Sequence, residues 1–273
     1  MFYKAQITRE NPTAILFLID LSSSMNDKMP SGESLAEFVA KTLNETLEEV
    51  IASYNKGNEV IWDYFQIGVI TYRGSKEAGD LKVENGFQWA SATEYMNPLS
   101  KIHGKKKMQR DKEGIEYPVW FEPVASGGTP MCQGITTATE VLTLWCAAHK
   151  KNFPPTVIHI TDGASTDGPP ESLAEELKKV HTDDGPVLLF NLHVCAQQAA
   201  PIRYPSTDSD LPNDYSKLLF RMSSVFPNTF IKYALDQLSM SLDNDARGFV
   251  YNASAADIHN FFDVGTKASA QDR

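Results

Sequence analysis

The 273-residue sequence lacks an apolar run of about 18 residues, the length that a membrane-spanning helix needs. Residues 1–12 mix polar and apolar types and lack the apolar segment of a secretory signal. These two absences predict a cytoplasmic protein with no membrane partner.

Cysteine is also scarce, since the chain has only Cys132, Cys146 and Cys195. The three residues form no CxxC pair and are odd in number. This usage predicts reduced thiols in a reducing compartment, and it argues against a disulfide framework or a zinc site.

Positive charge is in deficit, with 25 Lys and Arg against 35 Asp and Glu, for a net charge of −10. A phosphate backbone would repel such a chain unless basic residues were concentrated on one face. One basic cluster exists, and it consists of Lys101, Lys105, Lys106, Lys107, Arg110 and Lys112. Because glycines interrupt it, we interpret the cluster as a solvated loop and expect no nucleic-acid partner. A docking patch for a protein is the alternative.

Familiar catalytic and nucleotide-binding motifs are absent: there is no GxSxG, no Walker A sequence and no GxGxxG. His159 and His193 lie inside apolar stretches, and no His or Cys has zinc-ligand spacing, so we interpret both histidines as core residues. No nucleophile or general base stands out. We therefore expect no enzymatic activity.

Apolar runs and amphipathic segments alternate along the chain. The runs predict strands at 13–19, 64–72, 156–161, 187–194 and 248–251. Helices are predicted after Ser34, after Pro130 and after Pro170, near 215–222, from 228 and from 255. Ser34 with Glu37, and Ser172 with Glu175, have the spacing of capping boxes. This alternation predicts a Rossmann-like α/β fold, with a doubly wound, mostly parallel sheet and helices on both faces.

Residues 74–128 fit this alternation least. They contain several glycines, the basic cluster and short β-like pieces near 87–90 and 119–121. Their apolar content is too low for a separate core, so we expect an elaborated connection that carries a strand or hairpin. With no linker and no repeat in the sequence, we expect a single domain spanning 1–273.

Oxygen-bearing side chains follow two of the predicted strands. Asp20, Ser22 and Ser24 come directly after the first strand, and Asp162 follows the strand at 156–161. Thr129 stands at the start of a helix, in Gly-Gly-Thr-Pro. In open α/β sheets the ligand site lies beyond the carboxyl ends of the strands. Five oxygen donors there would suit a hard cation such as Mg²⁺.

The three segments together resemble the metal-ion-dependent adhesion site of von Willebrand factor type A (VWA) domains. The likeness consists of Asp20-x-Ser22-x-Ser24, Thr129 in a glycine-led loop and Thr-Asp162-Gly after a later strand, in the family's order. It covers roughly residues 13–265, with 74–128 fitting least. Ser23 is a departure, because many members have Gly there.

The resemblance implies roles for these residues. Ser22 and Ser24 would be direct ligands of Mg²⁺ (or Mn²⁺ or Ca²⁺), and Thr129 a direct or water-linked one. Asp20 and Asp162 would act largely through water. A protein partner would complete the shell with a Glu or Asp carboxylate. The resemblance also allows the last helix, from 255 to about 267, to move on binding.

The expected function is therefore that of a metal-dependent protein-binding or scaffold module. Stand-alone bacterial chains of this kind are similar to VWA proteins associated with tellurium resistance, which implies an intracellular signalling or stress-response assembly. An adaptor subunit of an AAA+ ATPase system, as in chelatases, is a related alternative. A Mg²⁺-dependent hydrolase or phosphatase is another, because a carboxylate beside Mg²⁺ can also serve phosphoryl transfer.

Overall fold

The computed structural model describes residues 2–55, 57, 60–110, 113–197, 199–238 and 240–267. Within them the strands are β1 (Thr13–Asp20), β2 (Phe65–Arg73), β3 (Lys82–Asn85), β4 (Asn97–Pro98), β5 (Lys107–Arg110), β6 (Glu116–Val119), β7 (Thr156–Thr161), β8 (His181–Thr182), β9 (Gly185–Pro186), β10 (Leu188–His193), β11 (Ile202–Arg203) and β12 (Phe249–Tyr251). The helices are α1 (Leu35–Ser53), α2 (Leu99–His103), α3 (Met131–Ala148), α4 (Glu171–Lys179), α5 (Asp214–Met222), α6 (Asn228–Leu238) and α7 (Ala255–Lys267). A short 3₁₀ helix spans Ser23–Asn26.

The main sheet has the order β11-β12-β10-β7-β1-β2-β3, and β4 also pairs with β2. Strands β12, β10, β7, β1 and β2 run parallel to one another, whereas β3, β4 and β11 are antiparallel additions. The hairpins β5–β6 and β8–β9 form two small separate sheets. The chain thus has the expected α/β fold, doubly wound around a mostly parallel sheet.

Strand β1 lies at the centre, and all eight of its residues are buried. Alternate side chains point to opposite faces of a strand, so β1 supplies two cores. Ile15, Phe17 and Ile19 belong to the core that contains the apolar residues of α1 and α7. Leu16 and Leu18 belong to the core formed with α3, α4 and α5. Burial on both faces explains why the strand is a continuous apolar run.

One of the two predicted capping boxes is present. The Ser34 hydroxyl accepts a hydrogen bond from the backbone N–H of Glu37, and the Glu37 carboxylate accepts one from the Ser34 N–H. The box predicted from Ser172 and Glu175 is wrong: α4 begins at Glu171, which leaves Ser172 inside the helix, and Pro170 precedes it without a side-chain cap.

The segment 74–128 contributes β3, β4 and α2 at one side of the main sheet and then projects the hairpin β5–β6. Of the two β-like pieces, the one near 87–90 forms a turn and buries Phe87, whereas the one near 119–121 overlaps the end of β6. The basic cluster is not a plain loop either. Its members lie on α2 and β5 and in the turn between them, with Lys112 outside the described residues. None of the helices in the described ranges is long and apolar enough to span a membrane.

Candidate metal centre

The sheet places the two carboxylates on neighbouring strands. Asp20 is the last residue of β1, and Asp162 directly follows β7, which is hydrogen-bonded to β1. Both strands end at the same edge because they are parallel. The loops after β1 and β7 therefore meet at the carboxyl edge of the sheet.

Asp20 is fully buried at this edge, and each of its oxygens accepts a hydrogen bond. Oδ1 accepts from the Ser22 backbone N–H at 2.8 Å, and Oδ2 accepts from the Thr161 hydroxyl at 2.6 Å. Burial raises the pKa of Asp20 to about 6, and the neighbouring charge of Asp162 adds to the increase despite the opposing effect of these hydrogen bonds. The carboxylate is thus held in place but poorly neutralised.

Two serine hydroxyls connect Asp20's loop to Asp162. The Ser24 hydroxyl donates to Asp162 Oδ1 at 2.9 Å, and the hydroxyl oxygens of Ser22 and Ser24 lie 3.1 Å apart. Ser22 is buried and Ser24 is exposed, so the cluster opens to solvent on the Ser24 side. Burial raises the pKa of Asp162 as well, with a further contribution from the charge of Asp27. Four of the five residues predicted from the sequence therefore lie in one hydrogen-bonded cluster.

Thr129 reaches this edge through its backbone. The loop before it is hydrogen-bonded to the Asp20 loop, from Ser23 N–H to Gly127 O at 2.9 Å. Thr129 and Thr166 then bond one another, from Thr129 N–H to Thr166 Oγ1 and from Thr166 N–H to Thr129 O, both at 2.9 Å. Within the described ranges no hydrogen bond joins the Thr129 side chain to the other four residues. The loop that contains Thr129 is nevertheless hydrogen-bonded to the loop after Asp20 and to the loop after Asp162.

Glycine at position 127 is required by this arrangement. Its φ is +71°, and a Cβ there would lie 2.5 Å from the Cα of Gly74. Any larger residue at position 127 would push this loop away from the backbone at Gly74, and most would also be strained at that φ. Glycine at position 127 is therefore needed for the loops at this edge to pack together.

Three residues that the sequence reasoning missed also build the site: Thr161, Thr166 and Asp167. Asp167 accepts from the backbone N–H groups of Cys132 and Gln133, both at 3.0 Å, and so caps α3 from another loop. Pro130, which directly precedes α3, supplies no side-chain cap of its own. The only local signal for Asp167 was its place in the loop that begins at Asp162.

Among the described residues, no basic side chain forms an ion pair with this cluster. Across the described ranges, no salt bridge reaches Asp20 or Asp162. Arg73, at the end of β2, bonds instead to Ser126 and Glu84. Two carboxylates with raised pKa values and no cationic partner form a set of hard oxygen donors that suits Mg²⁺, Mn²⁺ or Ca²⁺.

Hydroxyl groups would be needed to complete such a centre. The described part of the chain has no group of three or more His, Cys, Asp or Glu side chains placed to share a metal ion. A cation at this edge would therefore depend on Ser22 and Ser24 in addition to the two carboxylates. Neutral hydroxyl ligands leave a cation with much of its charge available to a further ligand.

No family model and no characterised protein sequence matches this chain. Among solved structures, proximal thread matrix protein 1 from the mussel byssus aligns with 95% of this chain and 48% of its own, at 14% identity and a TM-score of 0.47. The human COPII-coat protein Sec24c aligns with 68% of this chain and 26% of its own, at 11% identity and a TM-score of 0.35. The chain thus spans about half the length of the mussel protein and about a quarter of the human one. Its own strand order and helix layers establish the α/β class.

Proposed function

We propose that this chain is a divalent-cation-dependent protein-binding module of the VWA type, with Asp20, Ser22, Ser24, Thr129 and Asp162 around the cation. The observation that carries the proposal is the position of Asp20 and Asp162 at one edge of the sheet, with Ser22 bonded to Asp20 through its N–H, Ser24 bonded to Asp162 through its hydroxyl, and no basic partner among the described residues. Two carboxylates in such surroundings are stabilised by a cation from solution.

The protein's own groups prepare the site. The Thr161 hydroxyl and the Ser22 N–H each occupy one side of an Asp20 oxygen and so fix the carboxylate plane. Ser24 and Asp162 hold one another on the exposed side. Mg²⁺ or Mn²⁺ bound there would supply a positively charged centre to which a Glu or Asp carboxylate of a partner protein can add. An acidic segment is thus the expected recognition element.

The acidity of the chain supports the requirement for a cation. A net charge of −10 repels an acidic partner, and Asp27 adds negative charge beside Asp162. A module of this kind would serve an intracellular signalling or stress-response assembly, or act as an adaptor for an AAA+ ATPase. It would work in the cytoplasm.

The first test measures cation binding. We expect titration calorimetry with MnCl₂ and MgCl₂ to detect one site in the wild type and none in Asp20→Asn. Glu116→Gln, which removes an exposed carboxylate of the β5–β6 hairpin, is the matched control and should bind like the wild type. Equal affinities of all three proteins would overturn the metal centre.

The second test asks what the cation binds. Partner proteins retained from a lysate with Mg²⁺ should be released by EDTA and absent with Asp20→Ala. Release by high concentrations of acetate would identify a carboxylate as the bridging group. Retention by Asp20→Ala would reject the metal-bridged model, and p-nitrophenyl phosphate turnover lost in that variant would favour a hydrolase instead.

A further inference from the structure

A chain of buried polar side chains runs through the sheet beneath the candidate metal centre. The Tyr72 hydroxyl lies 2.7 Å from His159 Nε2, and His159 Nδ1 lies 2.7 Å from Asn191 Oδ1. Asn191 Nδ2 donates to the Ser223 hydroxyl oxygen at 2.9 Å. All four side chains are fully buried. This hydrogen-bonded network joins β2, β7 and β10 and ends at Ser223, directly after α5.

The protons in this chain can be assigned from its far end. The Ser223 hydroxyl donates to the carbonyl oxygen of Leu219 at 2.8 Å, so its oxygen must accept from the Asn191 amide. The Asn191 Oδ1 then accepts the Nδ1–H of His159, and the free Nε2 of His159 accepts the Tyr72 hydroxyl. Burial lowers the pKa of His159 to about 4, so the ring is neutral at pH 7 and only one of its two nitrogens carries a proton.

The near end of the chain contacts the metal centre. Tyr72 is the register partner of Asp20, and its carbonyl oxygen accepts the N–H of Leu21 at 2.9 Å. Burial raises the pKa of Tyr72 well above its usual value, the charges on Asp20 and Asp162 raise it further, and the Thr161 hydroxyl opposes them. The Tyr72 and Asp20 side chains lie side by side on neighbouring strands, and His159 lies two residues before Thr161 on the same face of β7.

Helix α3 leaves space for this network at a place where apolar side chains could pack without needing hydrogen-bond partners. Gly134 of α3 faces the Tyr72 ring, and a Cβ at that position would lie 2.6 Å from the ring. Buried polar groups weaken a core unless every one is hydrogen-bonded, and a fully bonded chain fixes the side chains that it contains. The network thus has one defined geometry.

We propose that Tyr72, His159 and Asn191 are positioning residues that hold the Thr161–Asp20 pair in its cation-binding geometry and transmit occupancy of the centre to the end of α5. The inference rests on the proposed function, because it assigns those residues to the same cation site. Substitutions along the chain should alter cation affinity by an amount that falls with distance from Asp20.

The test combines cation titrations with ¹⁵N NMR of the histidines. In the wild type, the His159 ring should show the Nδ1–H tautomer, and MgCl₂ should shift its Nε2 resonance while leaving His149 unchanged. Groups that orient metal ligands typically change metal affinity by about 10- to 100-fold when mutated. Since Tyr72 lies on the strand beside Asp20, one step further from the cation than such a group, we expect Tyr72→Phe to weaken Mn²⁺ binding by about 3- to 10-fold.

Matched variants separate positioning from stability. Thr156→Val removes a buried hydroxyl of the same strand that has no hydrogen-bond partner among the described residues, and it should leave Mn²⁺ affinity within about twofold. Ser223→Ala, at the far end, is the mildest variant and should still reduce the Mg²⁺-induced shift of His159. It provides the readout if Tyr72→Phe does not fold.

The outcomes are distinct. Folded Tyr72→Phe and Ser223→Ala proteins that bind Mn²⁺ like the wild type, with only lower unfolding temperatures, would make the network merely structural and overturn the inference alone. A wild type that binds no divalent cation would overturn the proposed function and this inference with it. A His159 resonance insensitive to MgCl₂ in a binding-competent wild type would overturn transmission to α5.

Discussion

Acidic side chains have opposite surroundings in two regions of the molecule. These regions are the carboxyl edge of β1 and β7 and the hairpin β5–β6. On the hairpin, exposed Arg110 pairs with exposed Glu116 at 2.7 Å, and exposed Lys107 lies 3.9 Å from the half-buried Glu122 just after β6. At the edge, Asp20 accepts from the Thr161 hydroxyl and Asp162 from the Ser24 hydroxyl, and no basic side chain of the described residues forms a salt bridge with either.

This difference supports the proposed cation site. Exposed ion pairs satisfy one another and contribute only about 0.2–1 kcal/mol each, so the hairpin needs nothing further for neutrality. The buried carboxylates remain incompletely neutralised, as their raised pKa values indicate. The many charges of the basic cluster are thus less informative about function than two aspartates that have no basic partner among the described residues.

The largest effect on cation affinity should come from placing a basic side chain beside the carboxylates at the edge. The carboxylates of the hairpin already have such a partner. Ser24→Lys removes the hydroxyl that donates to Asp162 and brings a flexible ammonium within reach of that carboxylate. Repulsion between this charge and a divalent cation should lower Mn²⁺ affinity on the order of 1,000-fold. Calorimetry with MnCl₂ measures it.

Ser23→Lys is the matched control, because it adds the same charge one residue away from the hydroxyl cluster. We expect a much smaller loss of Mn²⁺ affinity in this variant. If Ser24→Lys bound Mn²⁺ as tightly as the wild type, the edge would not be the cation site.

The next effect concerns pH. The pKa of Asp20 is raised from an ordinary 3.8 to about 6, so the folded state binds its proton more tightly than the unfolded state. The stabilisation by this proton is complete below pH 4 and is lost as the pH rises from about 4 to about 6. The shift corresponds to roughly 3 kcal/mol of unfolding free energy in metal-free protein.

Urea unfolding across pH 4 to 8 in EDTA measures this loss, and saturating MgCl₂ should restore stability above pH 6. Other carboxylates, such as Asp257 with its lowered pKa, contribute with the opposite sign. The informative quantity is therefore the difference between the wild type and Asp20→Asn. Curves that stay parallel from pH 4 to 7 would contradict the assignment of the effect to Asp20.

The sequence predicted the central strands closely because their burial produces a strong local pattern. Strand β7 has the predicted bounds, and β1 extends one residue beyond its prediction. The same reasoning located the candidate site, since side chains after neighbouring parallel strands must meet at one edge. Whether these side chains bind a metal remains a prediction.

Other features depend on contacts between distant segments. Asp167 caps α3 from 35 residues away, which no local capping pattern contains. Strand β5 is exposed along its whole length, so it lacks the apolar alternation by which a strand is recognised. The alternating apolar residues at 87–90 do give that pattern, but Phe87 is buried beneath a turn in which its N–H bonds to Asn85.

A smaller effect compares how tightly the two regions are packed. Gly134→Ala beneath the site would place a methyl group 2.6 Å from the Tyr72 ring, whereas Gly104→Ala in the 74–128 segment would meet no atom closer than 3.6 Å. We expect Gly134→Ala to destabilise the protein by about 1–3 kcal/mol through overpacking, and Gly104→Ala to change stability by less than about 0.5 kcal/mol. Thermal unfolding of both variants checks this. Equal effects would mean that the packing around Tyr72 yields easily.

The smallest effect belongs to the hairpin itself. Arg110 and Glu116 are both exposed, so Glu116→Gln should lower the free energy of unfolding by no more than about 1 kcal/mol, and less at high salt. Urea unfolding at low and high NaCl measures the change, with Arg110→Gln as the reciprocal variant. A larger loss that persists in high salt would show that the hairpin's charges are structurally coupled to the fold. The contrast between a self-neutralised hairpin and an incompletely neutralised edge would then no longer separate surface charge from functional charge.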